Sequence, residues 1–331
     1  MTRFTILIII VLFLSLMLVF VIWAERRHLL LLSTFRALKW LGLKKTITLG
    51  WKGILYGNWT VLYIKLNSFL LQKLSRWKPG VSFLNRIIAE RYHGKVLTPE
   101  HAKTIITIEQ DVPLHDLGDR IIPYSRARDI VLKSGDDIAL FQCGCKASRK
   151  EPCKVMHKKP YMACILIGKT IVDFLIAHNP ATSRRITSDE ALRLLEEFHN
   201  MGLVHNAWFK DAINDQMYVI CNCCSCCCLG FESMRLGVRQ ITSSGYVAFV
   251  DENLCKGCET ALYCCPFGAI TMIHDKSHVD PDKCMGCGVC VSKCPNHART
   301  LKLSPAHGLP LDVTKLHGRP NYRVNSITTK E

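Results

Sequence analysis

The densest chemistry in the chain is a twelve-residue run near its C-terminal end, Cys284-Met285-Gly286-Cys287-Gly288-Val289-Cys290-Val291-Ser292-Lys293-Cys294-Pro295. Three thiolates on a tight, glycine-containing loop can reach three corners of one iron–sulfur cube. The fourth, ahead of proline, is carried off by the following helix toward a neighbouring cube. Zinc in this run would call for two separated cysteine pairs and no obligatory proline, which is not the spacing seen. A second copy precedes it: Cys255-Lys256-Gly257-Cys258-Glu259-Thr260-Ala261-Leu262-Tyr263-Cys264-Cys265-Pro266. Here Cys255, Cys258 and Cys265 align with Cys284, Cys287 and Cys294, and Ala261 stands where the later run has Cys290.

On these runs, residues about 246–302 resemble a bacterial-type ferredoxin domain with two [4Fe-4S] clusters. In that family the fourth cysteine of each run serves the other cluster. The resemblance therefore implies one cluster on Cys284, Cys287, Cys290 and Cys265, and a second on Cys255, Cys258 and Cys294 with Ala261 at the remaining ligand position. A methyl group does not bind iron. Either Cys264 supplies the fourth thiolate, or the corner stays open and the site holds a [3Fe-4S] cluster or a labile fourth iron. Adjacent helix side chains differ by about 100° in direction, which lets Cys264 face one cube while Cys265 faces the other and favours Cys264.

All 18 cysteines lie beyond residue 142. In a compartment that keeps thiols reduced, such a density points to metal rather than disulfides. Besides the tail, Cys143, Cys145, Cys153, Cys164, Cys221, Cys223, Cys224, Cys226, Cys227 and Cys228 are candidates for a further cluster or metal site. Six of these thiols crowd into residues 221–228, where neighbouring side chains diverge and cannot all address one metal. Some must face other partners, with Cys143, Cys145, Cys153 and Cys164 available. The competing reading is a set of buried thiols packed as small hydrophobes. The segment resembles that of proteins fusing such a cysteine-rich region to a ferredoxin domain, and no mechanism comes with that resemblance. His205 reads as a capping or core histidine.

These sites need elements to hold them. With 49% hydrophobic and 21% charged residues, the chain is neither disordered nor fibrous. Its net charge of +16 is concentrated in the first hundred residues, beside the one segment that looks membrane-bound. That favours an anionic lipid surface over nucleic acid. Phe4 to Trp23 is uncharged and long enough to cross a bilayer. Arg26, Arg27, Arg36, Lys39, Lys44 and Lys45 follow it closely, so the positive-inside rule places the body in the cytoplasm. His28 to Lys45 reads as a basic amphipathic surface helix. Ile54 to Leu71 is apolar but interrupted by Lys65, which disfavours a second crossing. Beyond the breaker Trp77-Lys78-Pro79-Gly80, Thr187 and Glu190 form a capping box opening a helix that Gly202 stops. Ile138–Phe141 reads as a strand running into Cys143, Tyr161 to Ala177 as a buried helix, and Ala269 to Asp280 as a hairpin.

The expected architecture is α+β: a transmembrane anchor (1–24), a basic membrane-proximal segment (25–80), a mixed α/β cysteine-rich middle domain (81–240), a two-cluster ferredoxin domain (241–305) and a tail (306–331). The expected function is a single-pass protein of the cell membrane relaying single electrons at the cytoplasmic face between redox-protein partners, with two [4Fe-4S] clusters and room for another centre. Alternatives are a reductase with its active site among Cys143–Cys228, fed by the ferredoxin domain, and a thiol or metal redox sensor. No nicotinamide, flavin or nucleotide fingerprint is present.

Overall fold

The computed structural model describes residues 64–107, 137–210 and 216–313, the short strands 112–113 and 129–130, and helical positions 12–17, 19, 20, 23 and 61. The helix expected at His28–Lys45 lies outside these residues, as do parts of Phe4–Trp23 and Ile54–Leu71. No described helix is long and apolar enough to cross a membrane.

In chain order the strands are β1 (Tyr92–Val96), β2 (Val112–Pro113), β3 (Asp129–Ile130), β4 (Ile138–Gln142), β5 (Met162–Ile167), β6 (Ser183–Ile186), β7 (Val204–Lys210), β8 (Gln216–Cys223), β9 (Ile241–Thr242), β10 (Tyr246–Val250), β11 (Ile270–Ile273), β12 (Lys276–Val279) and β13 (Arg299–Leu303). Seven of them form one mixed sheet in the order β6-β4-β5-β8-β7-β1-β9, antiparallel except for the parallel β1–β9 pair. Because β9 belongs to this sheet, residues 241–242 fall with the middle domain. The ferredoxin-type unit starts at β10.

Helices cover both faces. On one, the helices Pro99–Thr107 and Ser188–Asn200 bury Ile105, Leu195 and Phe198 against Ile165, Ala207 and Ile220. Thr187 caps the second by accepting a hydrogen bond from the Glu190 backbone N–H at 3.2 Å. Gly202 ends it at φ +85°, a left-handed conformation that glycine adopts without strain. On the other face lie Val172 of helix Lys169–His178, Phe231 of helix Leu229–Arg235, and part of the tail. The single helix expected over Tyr161–Ala177 is instead β5, Gly168 at φ 97°, then Lys169–His178. A strand between two others is apolar on both faces, so its composition matches that of a buried helix.

Residues 64–74 form a helix. Ile64 and Leu71 pack against Leu84, Leu229 and Val238, so this part of the membrane-proximal segment is docked on the body. In the tail, β10 pairs with β13 and β11 with β12. The β11–β12 turn, His274-Asp275, has φ 46° and 57°, the left-handed pair of a type I′ hairpin.

Candidate metal centres

The two cysteine runs of the tail fold as equivalent loops. Gly257 and Gly286 both have positive φ, and both face carbonyls: an added β-carbon would stand 2.5 Å from Asp275 O and 2.2 Å from Tyr246 O respectively. Each proline-preceding cysteine accepts a backbone N–H on sulfur, from Ala269 to Cys265 Sγ at 3.4 Å and from Ala298 to Cys294 Sγ at 3.3 Å.

Cys284, Cys287, Cys290 and Cys265 line one pocket, whose other walls include Ala248, Phe267 and Ile270. Burial holds Cys287 well above the usual thiol value and pushes Cys290 up to about 12. Four sulfurs in an apolar chamber fit an iron–sulfur cube, which supplies one-electron chemistry when bound. Ala248 N–H, at 3.4 Å from Cys284 Sγ, would tune such a centre.

Cys255, Cys258 and Cys294 line a second pocket, and Ala261 lines it at the fourth position. Backbone N–H of Gly257 lowers Cys255, and the hydroxyl and backbone of Thr260 lower Cys258, which is exposed. Arg299 also lines this pocket. It is 4% exposed, bonds Ser277 through Nη2, and carries an Nη1 with no partner among the described residues. A buried cation with a spare donor fits an anionic cluster held by three thiolates. Cys264 does not line this pocket. It occupies the position that Lys293 holds in the other run, lies 3.6 Å from Ala261 O, and packs both in the apolar cluster against the middle domain and in the ferredoxin-type unit's own cluster with Ala261.

In the middle domain the ten thiols fall into two groups on opposite sheet faces. Cys143 and Cys145 follow β4, Cys164 is on β5, and Cys221 and Cys223 project from the same side of β8. Cys164 and Cys221 are cross-strand partners with sulfurs 3.7 Å apart. Neighbouring thiol contacts run Cys143–Cys145–Cys228–Cys223–Cys221–Cys164 and back to Cys143, closing a ring of six. Beside the ring is Lys146, 2% exposed, donating to Asn222 O at 2.7 Å. Burial lowers its pKa, but the thiolates of Cys143, Cys224, Cys223 and Cys164 outweigh that and hold the ammonium charged. On the other face, Cys153, Cys224, Cys226 and Cys227 gather with all four sulfurs within 4.8 Å of one another. Strand β8 ends at Cys223, on the ring's side, and the turn that follows carries Cys224, Cys226 and Cys227 to the other group. Sequence reasoning foresaw that division but not its membership, because the partners come from distant strands.

His205 lies on β7, buried, with Nδ1 2.6 Å from Asn222 Oδ1. Burial lowers its pKa to about 4. It is a core histidine. Lys146 and Arg299 were not singled out by sequence; only burial marks them.

A 4Fe-4S binding domain family model matches residues 277–300. The chain thus carries an iron–sulfur domain of ferredoxin type, and its general chemistry is iron–sulfur electron transfer. No curated protein and no solved structure matches the chain.

Proposed function

We propose that the chain is a membrane-anchored electron-transfer protein in which a two-cluster ferredoxin-type domain exchanges single electrons with a centre held by the six-thiol ring of the middle domain. One observation carries this reading. The ring cysteines and the first ferredoxin pocket share a continuous apolar cluster, in which Cys143, Cys164, Cys223 and Cys228 pack with Phe231 and Cys287, and with Phe267 and Met285 at its edge. Phe231 and Phe267 stand 4.9 Å apart, ring to ring, across the junction. A packed path that brings two thiolate sites into one apolar cluster is compatible with electron transfer between them.

Membrane attachment is supported by the uncharged Phe4–Trp23 stretch and by its described helical positions, where Phe13, Leu16 and Val19 are all more than 60% exposed. The helix over residues 64–74 adds a second surface. Its docked side is opposed by exposed Leu66 and Phe69 with Lys65 and Lys73, an amphipathic combination suited to the headgroup level. The basic residues after Phe4–Trp23 favour a cytoplasmic body.

The test uses full-length, anaerobically purified protein. A reductive titration should consume more electrons than the ferredoxin domain's clusters alone accept, and a C-terminal reporter should read cytoplasmic. A chain that takes up no electrons beyond those clusters would remove the middle-domain centre from the account. A second reading, a reductase acting at the ring, is favoured by the partial exposure of Cys145 and Cys221, which leaves the ring reachable. Turnover of a small acceptor with an artificial donor, abolished by Cys145→Ser, would support it over a pure relay.

A further inference from the structure

We propose that Cys153, Cys224, Cys226 and Cys227 form a closed tetrahedral site for a single zinc ion, distinct from every iron–sulfur centre of the chain. The sulfur separations are 3.6 Å for Cys153–Cys224, 3.9 Å for Cys153–Cys226, 3.3 Å for Cys224–Cys226 and 3.5 Å for Cys226–Cys227. Zinc binds thiolates at about 2.3 Å, so a regular tetrahedron sets neighbouring sulfurs about 3.8 Å apart. A cube places an iron behind each thiolate and spreads its ligands wider.

The protein supplies its own comparison. Cys265, Cys284, Cys287 and Cys290 surround a pocket suited to a cube, and no three of them come within 4.8 Å of one another; nor do any three of the six-thiol ring. Among the described residues the Cys153 group alone meets that distance. Four thiolates closing on one point match a mononuclear ion.

The surroundings fit. Cys153, Cys224 and Cys227 are at most 2% exposed, so the coordination sphere is closed to substrate, as in structural zinc sites. Cys153 sits in the loop 149–161, which has neither helix nor strand and carries Lys150, Glu151, Lys154, Lys158 and Lys159. Such a loop has little reason to bury its centre unless something fixes it there. Met156 N–H points at Cys153 Sγ from 3.3 Å, and Arg149 Nε donates to Cys227 O at 2.9 Å, placing a donor and a cation beside the thiolates. Binding one divalent ion by four thiols releases four protons and leaves a net charge of −2, which Arg149, itself paired with Glu232, offsets in part. The ion would pin the loop to the turn after β8, from which Cys228 reaches the six-thiol ring.

The test is zinc and iron per chain in full-length protein, with zinc K-edge absorption spectroscopy. The expected result is one zinc per chain, four sulfur neighbours at about 2.3 Å and no metal neighbour. Cys226→Ala, at the least buried ligand, should lower zinc several-fold with iron unchanged, and Cys258→Ser in the ferredoxin domain should leave zinc untouched. Absence of zinc from the wild-type protein overturns the proposal. So does a loss of about four irons per chain in Cys226→Ala, which would mean a cube. The wild-type spectrum decides the matter even if the variant does not fold. Failure here leaves the electron-transfer proposal standing, because that rests on the ring and the ferredoxin pockets.

Discussion

Replacing Glu232 by alanine tests how the membrane-proximal helix is held to the body. Glu232 accepts from Ser68 Oγ at 2.8 and 3.0 Å, Gln72 Nε2 at 2.7 Å and Arg149 Nη2 at 2.7 Å. Removing one partner of a buried, hydrogen-bonded ion pair costs about 3–5 kcal/mol, because the other charge is left uncompensated. The Glu232 side chain is 11% exposed and that of Arg149 23%, so Arg149 can turn partly to water and the lower end, about 3 kcal/mol, applies. For a body of this size that is a fall in Tm of about 6–12 °C. Glu232→Gln keeps an acceptor and should lose about half as much. Burial works to raise the carboxyl pKa, but hydrogen bonds from Gln72, Arg149 and Ser68 outweigh it and hold the value below the usual carboxylate range. A depressed carboxylate stabilises the fold above its unfolded pKa, and the stabilisation is lost as pH falls through the folded value. The assay is thermal melting by circular dichroism from neutral to acid pH, with hydrogen exchange over residues 64–74. A Tm change under about 2 °C for Glu232→Ala, with unchanged exchange in that helix, would refute the reasoning.

The alanine at position 261 gives a sharp contrast between variants. Because Cys264 does not line the second pocket, Cys264→Ser should leave the electron paramagnetic resonance spectrum unchanged, whereas Ala261→Cys should convert an oxidised-state [3Fe-4S] signal into a second reduced-state [4Fe-4S] signal; loss of iron in Cys264→Ser would reverse this. Lys95 is fully buried, donates to Ser243 O at 2.6 Å, and is pushed down by burial to about 7. Between that value and about 10.4 the unfolded chain binds the extra proton, so Lys95 makes stability rise with pH by about 1.4 kcal/mol per unit. Lys95→Met should melt with a flatter pH dependence between pH 7 and 9 than the wild type. Gly286→Ala, whose β-carbon would meet Tyr246 O at 2.2 Å, should lower iron content more than Gly268→Ala, where nothing lies within 4 Å.

Local signals in this chain were legible and long-range ones were not. The Thr187 cap, the strand into Cys143 and the hairpin before Cys284 all follow from spacing over a few residues, whereas the pairing of Cys265 and Cys294 with the opposite runs rests on the resemblance to ferredoxins. That the six thiols of residues 221–228 must divide could be inferred from the divergence of neighbouring side chains, but which ones meet depends on the sheet bringing β4, β5 and β8 side by side, and pairing order is not written in local pattern. Residues 161–177 misled because a strand buried on both faces has the composition of a buried helix. The expected rescue by Cys264 rested on angular direction alone. The repeat places Cys264 at the position of Lys293, and Cys264 is not among the residues lining the second pocket.

The central claim, that a redox centre in the six-thiol ring communicates with the ferredoxin-type domain, is tested most directly by electron paramagnetic resonance of the dithionite-reduced protein, with iron and acid-labile sulfide counted per chain. Wild type is compared with the Cys143→Ser, Cys145→Ser double variant. The account predicts a signal beyond those of the ferredoxin clusters that disappears in the double variant, together with part of the iron, while the ferredoxin signals remain. Identical iron content and identical spectra in the two proteins would contradict it.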